Sequence, residues 1–348
     1  MSVNSNNYLE NNYFTHIYVE EEVKDHPRTK QILLRFPKAK IISITHYKDV
    51  FNRTHQNFLK QKNSPNLILA KKQGEFIFNG APVCQGFGEE YFYYTSSIMN
   101  CLYDCEYCYL QGMYPSANLV VFVNLEDIFS HVTRLLKKHK AYLCISYDTD
   151  LLALEGLFGF VSAWCDYAKH HTDLTIEIRT KNANKEALKA LPVLSNVIYA
   201  FTLSPESVIK NYEHGTPSLY TRIKAIKTAL SLGHPVRLCF DPMIYIADYQ
   251  EVYENFFNFL WTQISPKSIR DISLGVFRVS KDYLKRMRKQ RPGSAILQYP
   301  YEPEDGVAHY GRETSKEMMF FAYQKLTEYY DKERIFLWDE AFPIILSL

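Results

Sequence analysis

Glycine is scarce in this chain, 13 in 348 residues, and the loops built from it are missing. There is no G-x-x-x-x-G-K-[ST] phosphate loop and no G-x-G-x-x-G dinucleotide fingerprint, so neither nucleotide chemistry has its usual cradle. No H-E-x-x-H pair occurs to carry zincin hydrolysis. No opening segment joins a basic stretch, an apolar run and a small-residue cleavage site, and no run of about 18 uncharged apolar residues appears. The expectation is a soluble, cytoplasmic protein with no membrane partner. An excess of one charge is lacking too: 40 Lys plus Arg face 38 Asp plus Glu, a balance of +2. That balance gives no global signature of a nucleic-acid binder, so any polyanion must meet a local patch. At 40.8 kDa the chain is long enough for one large domain or two ordinary ones, which excludes a disulfide-stapled miniprotein.

Aromatic residues, by contrast, are dense: 27 Tyr, 22 Phe and 3 Trp. Phenol hydroxyls need partners when buried, which places many of these tyrosines at half-wet surfaces or pockets. From Glu90 onward, β-rich runs alternate with helical ones. Strands are expected over 119–124, 142–147, 174–179, 196–203, 235–245 and 272–279, and helices over 125–139, 153–170, 184–190, 218–232 and 249–262. Such alternation implies parallel strands joined by right-handed crossovers in an open sheet or a full or partial barrel, with the chemistry at the carboxyl ends of the strands. Residues 1–85 read as a small N-terminal α/β cap, 86–265 as the barrel and 266–348 as a C-terminal extension. That extension opens with the run 281–291, which carries six basic residues and one acid, a local charge of +5 hidden by the overall balance.

Seven cysteines form an odd set, and three are packed into Asn100-Cys101-Leu-Tyr-Asp-Cys105-Glu-Tyr-Cys108-Tyr109 at spacing C-x3-C-x2-C. At this cysteine frequency the spacing arises by chance with an expectation of roughly 0.003. Three thiolates from one loop can hold three irons of a [4Fe-4S] cluster and leave the fourth without a protein ligand. A structural zinc site completed by a distant Cys or His is the competing reading, though it usually comes as paired C-x2-C knuckles and only Cys105 and Cys108 make one here.

With Tyr107 just before the last cysteine, the segment resembles the signature of the radical S-adenosylmethionine (SAM) superfamily. Cys105-Glu-Tyr-Cys108-Tyr109-Leu110-Gln111, and Val208-Ile-Lys-Asn211-Tyr-Glu213-His-Gly215-Thr216 downstream, are similar to segments of the spore photoproduct lyase family. The likeness runs patchily from about Tyr91 to Tyr330. It implies a radical SAM partial (β/α) barrel with the cluster loop after its first strand and SAM on the open iron. It further implies a 5′-deoxyadenosyl radical, reversion of 5-thyminyl-5,6-dihydrothymine in ultraviolet-damaged DNA to two thymines, and an electron donor such as flavodoxin or ferredoxin. A monomer is the default expectation. A radical SAM enzyme acting on another nucleotide or a peptide, and a zinc-stabilised nucleic-acid-binding protein, stand as alternatives.

By segment match, Tyr107 lies against SAM and Tyr109 near the hydrogen-transfer path. Thr149, Lys181, Thr202 and Asp241 are the SAM-binding candidates, Lys181 pairing with the carboxylate as a point charge. The family's Cys-Thr-Ser-Asp falls on Tyr147-Asp148-Thr149-Asp150, so the cysteine that returns a hydrogen atom in relatives is Tyr147 here. Cys84 is the favoured substitute over Cys144, because period-two alternation sets Cys144 and Tyr147 on opposite faces of a strand. For DNA, Lys285, Arg286 and Arg288 supply phosphate-pairing charge, Tyr310 a flat side chain near the lesion, and Arg312 a substitute for a family arginine that is His309 here.

Overall fold

The computed structural model describes residues 13–81 and 84–338. Most of the Asn-rich opening stretch, and Pro82 of the loop ahead of the cysteines, lie outside them. Two sheets organise the chain. An eight-stranded sheet runs in the order Ile335–Leu337, Asp271–Val276, Val236–Met243, Val197–Thr202, Leu174–Thr180, Ala141–Cys144, Phe92–Tyr94 and Phe78–Asn79. Every neighbouring pair is parallel except the last, which is antiparallel. The end strands do not pair, so the sheet curls into a half-barrel, as expected for a partial (β/α) barrel. Helices such as Phe160–Lys169 and Leu219–Leu232 cover the outer face, with Trp164, Ile223 and Ile226 buried.

The second sheet is five-stranded, in the order Lys40–Ile44, His16–Glu20, Leu67–Ala70, Leu119–Phe122 and Ile98–Met99. The strand at Leu119–Phe122, read from the sequence as part of the barrel alternation, pairs instead with Leu67–Ala70. Both are buried at all four positions. A strand covered on both faces carries no alternation to say which sheet it joins. The expected strand 272–279 is likewise divided. Asp271–Val276 stays in the barrel between Val236–Met243 and Ile335–Leu337, and Arg278–Ser280 leaves it to pair antiparallel with Val307–His309.

The expected helix 153–170 is two helices, Leu151–Phe158 and Phe160–Lys169, bent by 98°. Gly159 sits between them at φ 67°, the left-handed conformation that a glycine adopts without a Cβ clash. Among the described residues no single helix is long and apolar enough to cross a membrane.

Inside the sheet lies a dry ionic cluster. Arg237, 1 % exposed, donates to both Asp271 oxygens, to Glu177 Oε2 at 2.6 Å and to the Tyr142 hydroxyl at 2.6 Å, with its guanidinium 3.3 Å above the Phe87 ring. Removing one member leaves charge behind in low dielectric. Arg237→Ala is expected to cost about 3–5 kcal/mol of unfolding free energy in urea titration, because Glu177 and Asp271 lose their shared buried partner and keep only the more exposed Arg179 and Arg270. A loss under about 1 kcal/mol would show that water reaches the cluster.

Candidate active site

The carboxyl ends of the barrel strands open on one cavity of about 600 Å³. Cys101, Cys105 and Cys108 line it together with Cys84, Tyr107, Tyr109, Thr149, Lys181, Thr202 and Asp241. The sequence-derived cluster and cofactor candidates therefore converge on a single space. Arg286 is the one DNA candidate that also lines it.

Local anchors shape the cysteine loop. Asn100, at φ 70° and fully buried, donates its side-chain amide to the carbonyls of Ser116 and Asn118, both at 2.8 Å. Asn tolerates this left-handed conformation better than other side chains, and it turns the chain into Cys101. Lys62 Nζ then donates to the carbonyls of Cys101 at 2.6 Å and Tyr103 at 2.7 Å. Asp104–Cys105 forms a two-residue antiparallel ladder with Glu213–His214. The two segments that carried the family likeness thus meet in space.

Beneath that ladder the Tyr107 hydroxyl donates to the Glu213 carboxylate. Ser204 Oγ donates to the same carboxylate at 3.1 Å, and Arg222, fully buried, pairs with its other oxygen. Arg222 also donates to the Thr202 carbonyl at 3.1 Å and to Thr216 Oγ1 at 2.7 Å. Burial alone would raise the Glu213 pKa, but Lys181 and Arg222 outweigh it and hold the carboxyl below its ordinary range. The Lys181 ammonium stands 5.6 Å over the Tyr107 ring. Burial works against its charge, Glu213 works for it, and the net shift is upward, so a cation faces the cavity. Burial pushes the Cys101 thiol up to about 11 and raises Cys105 and Cys108 as well. Lys62 and Lys181 offset only part of that rise.

None of the three loop cysteines is in a disulfide. Among the described residues no three His, Cys, Asp or Glu side chains converge as ligands of a single ion. The three thiols instead line a shared cavity.

The other candidates differ in how free they are. Thr149, 8 % exposed, has a buried hydroxyl with no partner among the described residues, an orphan that a bound polar group would satisfy. Asp241 is committed: Arg278 grips its carboxylate at 2.7 and 3.2 Å and holds its pKa low against the opposing effect of burial. Tyr109 donates to the Tyr147 carbonyl at 2.6 Å. Cys84 donates its S–H to the Tyr147 hydroxyl across 3.5 Å, and the Tyr147 ring stacks on Tyr94 with centroids 4.1 Å apart.

The opposite-face argument for Cys144 does not hold. The strand ends at Cys144, alternation stops there, and Cys144 and Tyr147 line the same cavity. Cys144 is buried beside Glu177, however, whereas Cys84 touches Tyr147 directly.

The DNA candidates are placed unequally. Tyr310 is buried at 4 %, its hydroxyl accepting from the Tyr245 backbone amide and its ring packed among Tyr299, Tyr301 and Phe277, so it presents no flat face to a base. Arg288 spends its guanidinium on the carbonyls of Leu297 at 2.6 Å and Tyr299 at 2.8 Å. Arg312 pairs with Glu304 at the surface, while Lys285 and Arg286 are exposed.

Sequence reasoning missed Glu177, Arg179 and Asp150, which also line the cavity. The signal was present: Glu177, Arg179 and Lys181 recur every second residue, so one face of a barrel strand carries three charges inward.

The half-barrel, with the three-cysteine loop at the carboxyl ends of its strands, has the radical SAM fold. A sequence model of the spore photoproduct lyase family matches residues 14–313, and the chain belongs to that family. It is 25 % identical over 256 residues to the spore photoproduct lyase of Clostridium acetobutylicum, covering 70 % of this chain and 72 % of that one. With the Bacillus subtilis enzyme it shares 21 % over 262 residues, covering 73 % and 74 %. Among solved structures, a spore photoproduct lyase mutant superposes with a TM-score of 0.80 at 18 % identity, over 93 % of this chain and 98 % of that one. A second mutant, solved with bound AdoMet and dinucleoside spore photoproduct, superposes with a TM-score of 0.78 at the same identity and coverage.

The ionic floor of the site yields a prediction. Arg222→Met removes the ion-pair partner of the buried Glu213 carboxylate, leaving it the Tyr107 and Ser204 hydroxyls and the Lys181 charge, and about 3–5 kcal/mol of stability is expected to go, with faster amide exchange at Cys105 and Glu106. Adding Glu213→Gln removes the orphaned charge and is expected to recover more than half of the loss in a double-mutant cycle. Strict additivity of the two changes would mean that the pair does not act as a unit.

Proposed function

We propose that this chain is a DNA repair lyase that reverts 5-thyminyl-5,6-dihydrothymine to two thymines by radical SAM chemistry. One observation carries the reading: the three loop thiols share a single cavity with Cys84, Tyr147 and the unpartnered Thr149 hydroxyl. The relative solved with AdoMet and dinucleoside spore photoproduct has the same fold.

Cys101, Cys105 and Cys108 would hold a [4Fe-4S] cluster, leaving one iron for SAM. When reduced, such a cluster supplies the electron that cleaves SAM to methionine and a 5′-deoxyadenosyl radical, which takes a hydrogen atom from the lesion. The chain's own residues bind, orient and exclude water. Lys181 would pair with the SAM carboxylate and Thr149 would offer it a hydroxyl, while Tyr107, fixed through Glu213, forms one wall of the cavity. Thr202 and Asp241 border the same space, Asp241 through the dipole of its Arg278 pair. After the lesion fragments, Cys84 S–H would return a hydrogen atom to the thymine methylene radical, taking the part that a cysteine at the Tyr147 position plays in relatives, and the thiyl radical left on Cys84 would be returned to S–H by one electron from a one-electron carrier and a proton. A low-potential one-electron carrier of the flavodoxin or ferredoxin kind reduces the cluster.

Two experiments test this. Anaerobic reconstitution should give a brown protein with about four irons and four sulfides per chain, and Cys105→Ala should abolish it. With SAM and dithionite, this protein should release thymine from a dinucleotide spore photoproduct. SAM cleavage without thymine would sink the repair assignment and leave a radical SAM enzyme of other specificity. Cys84→Ala should slow repair and divert product into adducts of the unquenched radical. In deuterated water it should also remove solvent deuterium from the product methyl group, and an unchanged rate, product pattern and label would exclude Cys84.

A further inference from the structure

We propose that the helix Lys281–Gln290, with Arg291 at its end, joins DNA to the cysteine loop. Its lysine face grips the sugar-phosphate backbone, and its other face transmits that engagement to the segment 104–112. The inference rests on reading the chain as a DNA enzyme and adds how substrate is felt at the cluster loop.

The first observation concerns which charges are free. Of the six basic residues in this run, Arg286 donates to the Gly112 carbonyl at 3.1 Å, Arg288 to the carbonyls of Leu297 and Tyr299, and Arg291 to Gln111 Oε1 at 2.9 Å and to Asp104. Lys281, Lys285 and Lys289 are exposed, and none pairs with a side chain among the described residues. They recur every fourth residue, which on a helix makes one stripe with steps of about 6 Å along the axis. Leu284 and Met287 are buried on the opposite side. Between the two faces, Asp282, Tyr283 and Arg286 line the cavity. A strand held by the lysines would therefore run beside the cavity mouth. This division suits the side chains: guanidinium forks satisfy fixed carbonyls and carboxylates, while ammonium groups act as mobile point charges for phosphates.

The second observation is how firmly the helix is fixed to the loop that carries the thiols. Arg291 pairs with Asp104, the residue before Cys105. Gln290 donates to the Gln111 carbonyl at 2.7 Å, and Gln111 in turn donates to the Glu106 carbonyl. At Gly112 the backbones are so close that an added Cβ would stand 2.6 Å from the Tyr283 carbonyl oxygen. Asp104, Glu106, Gln111 and Gly112 are thus all tied, directly or through one side chain, to a ten-residue helix. A polyanion that binds this helix better when docked stabilises the docking by its differential affinity, and the coupling is reciprocal.

The test uses the cluster-loaded protein and a short undamaged DNA duplex, so it needs no lesion chemistry. By fluorescence anisotropy, Lys281→Gln/Lys285→Gln/Lys289→Gln should weaken binding and flatten the slope of log affinity against log salt by about 2 to 3. In the wild type, DNA should slow amide hydrogen exchange over residues 104–113 by about fivefold or more. Arg291→Gln, and the milder Gln290→Ala, should lose that protection and lower DNA affinity by no more than the same coupling factor, with the salt slope changed by at most about 1. An unchanged affinity and slope in the triple variant would overturn the lysine surface. Loop exchange indifferent to DNA in the wild type, or still DNA-dependent in both docking variants, would overturn the coupling. Failure of the dinucleotide repair assay with these DNA results intact would count against the lesion assignment alone.

Discussion

The cysteine loop stands on a buried ion pair. Glu213 and Arg222 are both out of water, and two ions in that position cost several kcal/mol each unless every donor and acceptor is used. Here they are well used. Arg222 reaches the carbonyls of Pro217 and Thr202, the Thr216 hydroxyl and Glu213, and Glu213 also accepts from Ser204 and Tyr107. Because Glu213 is paired through its backbone with Cys105, the ion pair fixes where a thiol sits. Tyr107 is held by its hydroxyl, so its ring forms a stationary floor under Lys181. Such a floor suits a radical site, where a group that moves admits water or side reactions.

Charge inside the barrel follows a second logic. The strand Leu174–Thr180 and the residue after it turn Glu177, Arg179 and Lys181 toward the cavity side. Glu177 neutralises Arg179 and Arg237 deeper in, with Asp271 beyond, so the charges alternate in sign across the sheet. Near the mouth Asp241 and Arg278 form a closed pair, and Gly275 leaves them room: a Cβ there would stand 2.6 Å from Asp241 Oδ1. Among the described residues Lys181 brings positive charge to the space beside the thiols, while Arg286 lines the same cavity from the exposed side. An anionic group entering that space meets positive charge first.

The strands and helices of the barrel were legible because both its alternation and its burial are strong. Strands expected over 174–179, 196–203 and 235–245 lie at Leu174–Thr180, Val197–Thr202 and Val236–Met243. Sheet membership was not legible for Leu119–Phe122, since a strand buried on both faces has lost its polar side and with it the pattern that assigns it. The thiol loop and the cofactor candidates were legible from spacing and likeness, and one cavity collects them. The lesion side was read less well. Tyr310 looked like a stacking platform because Tyr is common on such surfaces, yet its hydroxyl found a backbone partner and the ring went inside. The basic run was recognised as charge, but only the fold shows that its arginines face carbonyls and Asp104 while its lysines face solvent. Spacing by four separates the two roles in hindsight; composition does not.

Tyr147 brings a second sulfur into play. Its phenol packs against Tyr94 and reaches Cys84, which lines the same cavity as Cys144 but from a different segment of the chain. Cys84 lies on the loop that precedes the strand Phe92–Tyr94, outside the segment where relatives place their thiol, and sequence order gives no hint of the contact. Its environment fits the task proposed for it. Burial raises the Cys84 pKa, only partly offset by the bond to Tyr147 and by Arg179, so the sulfur keeps its hydrogen near neutral pH. A thiolate would be the better nucleophile, but only S–H can give up a hydrogen atom. Burial keeps the hydrogen on Cys144 as well, so a pocket that points Cys84 at a phenol oxygen and keeps Cys144 apart beside Glu177 distinguishes the two sulfurs by direction, not by protonation state or place in the sequence.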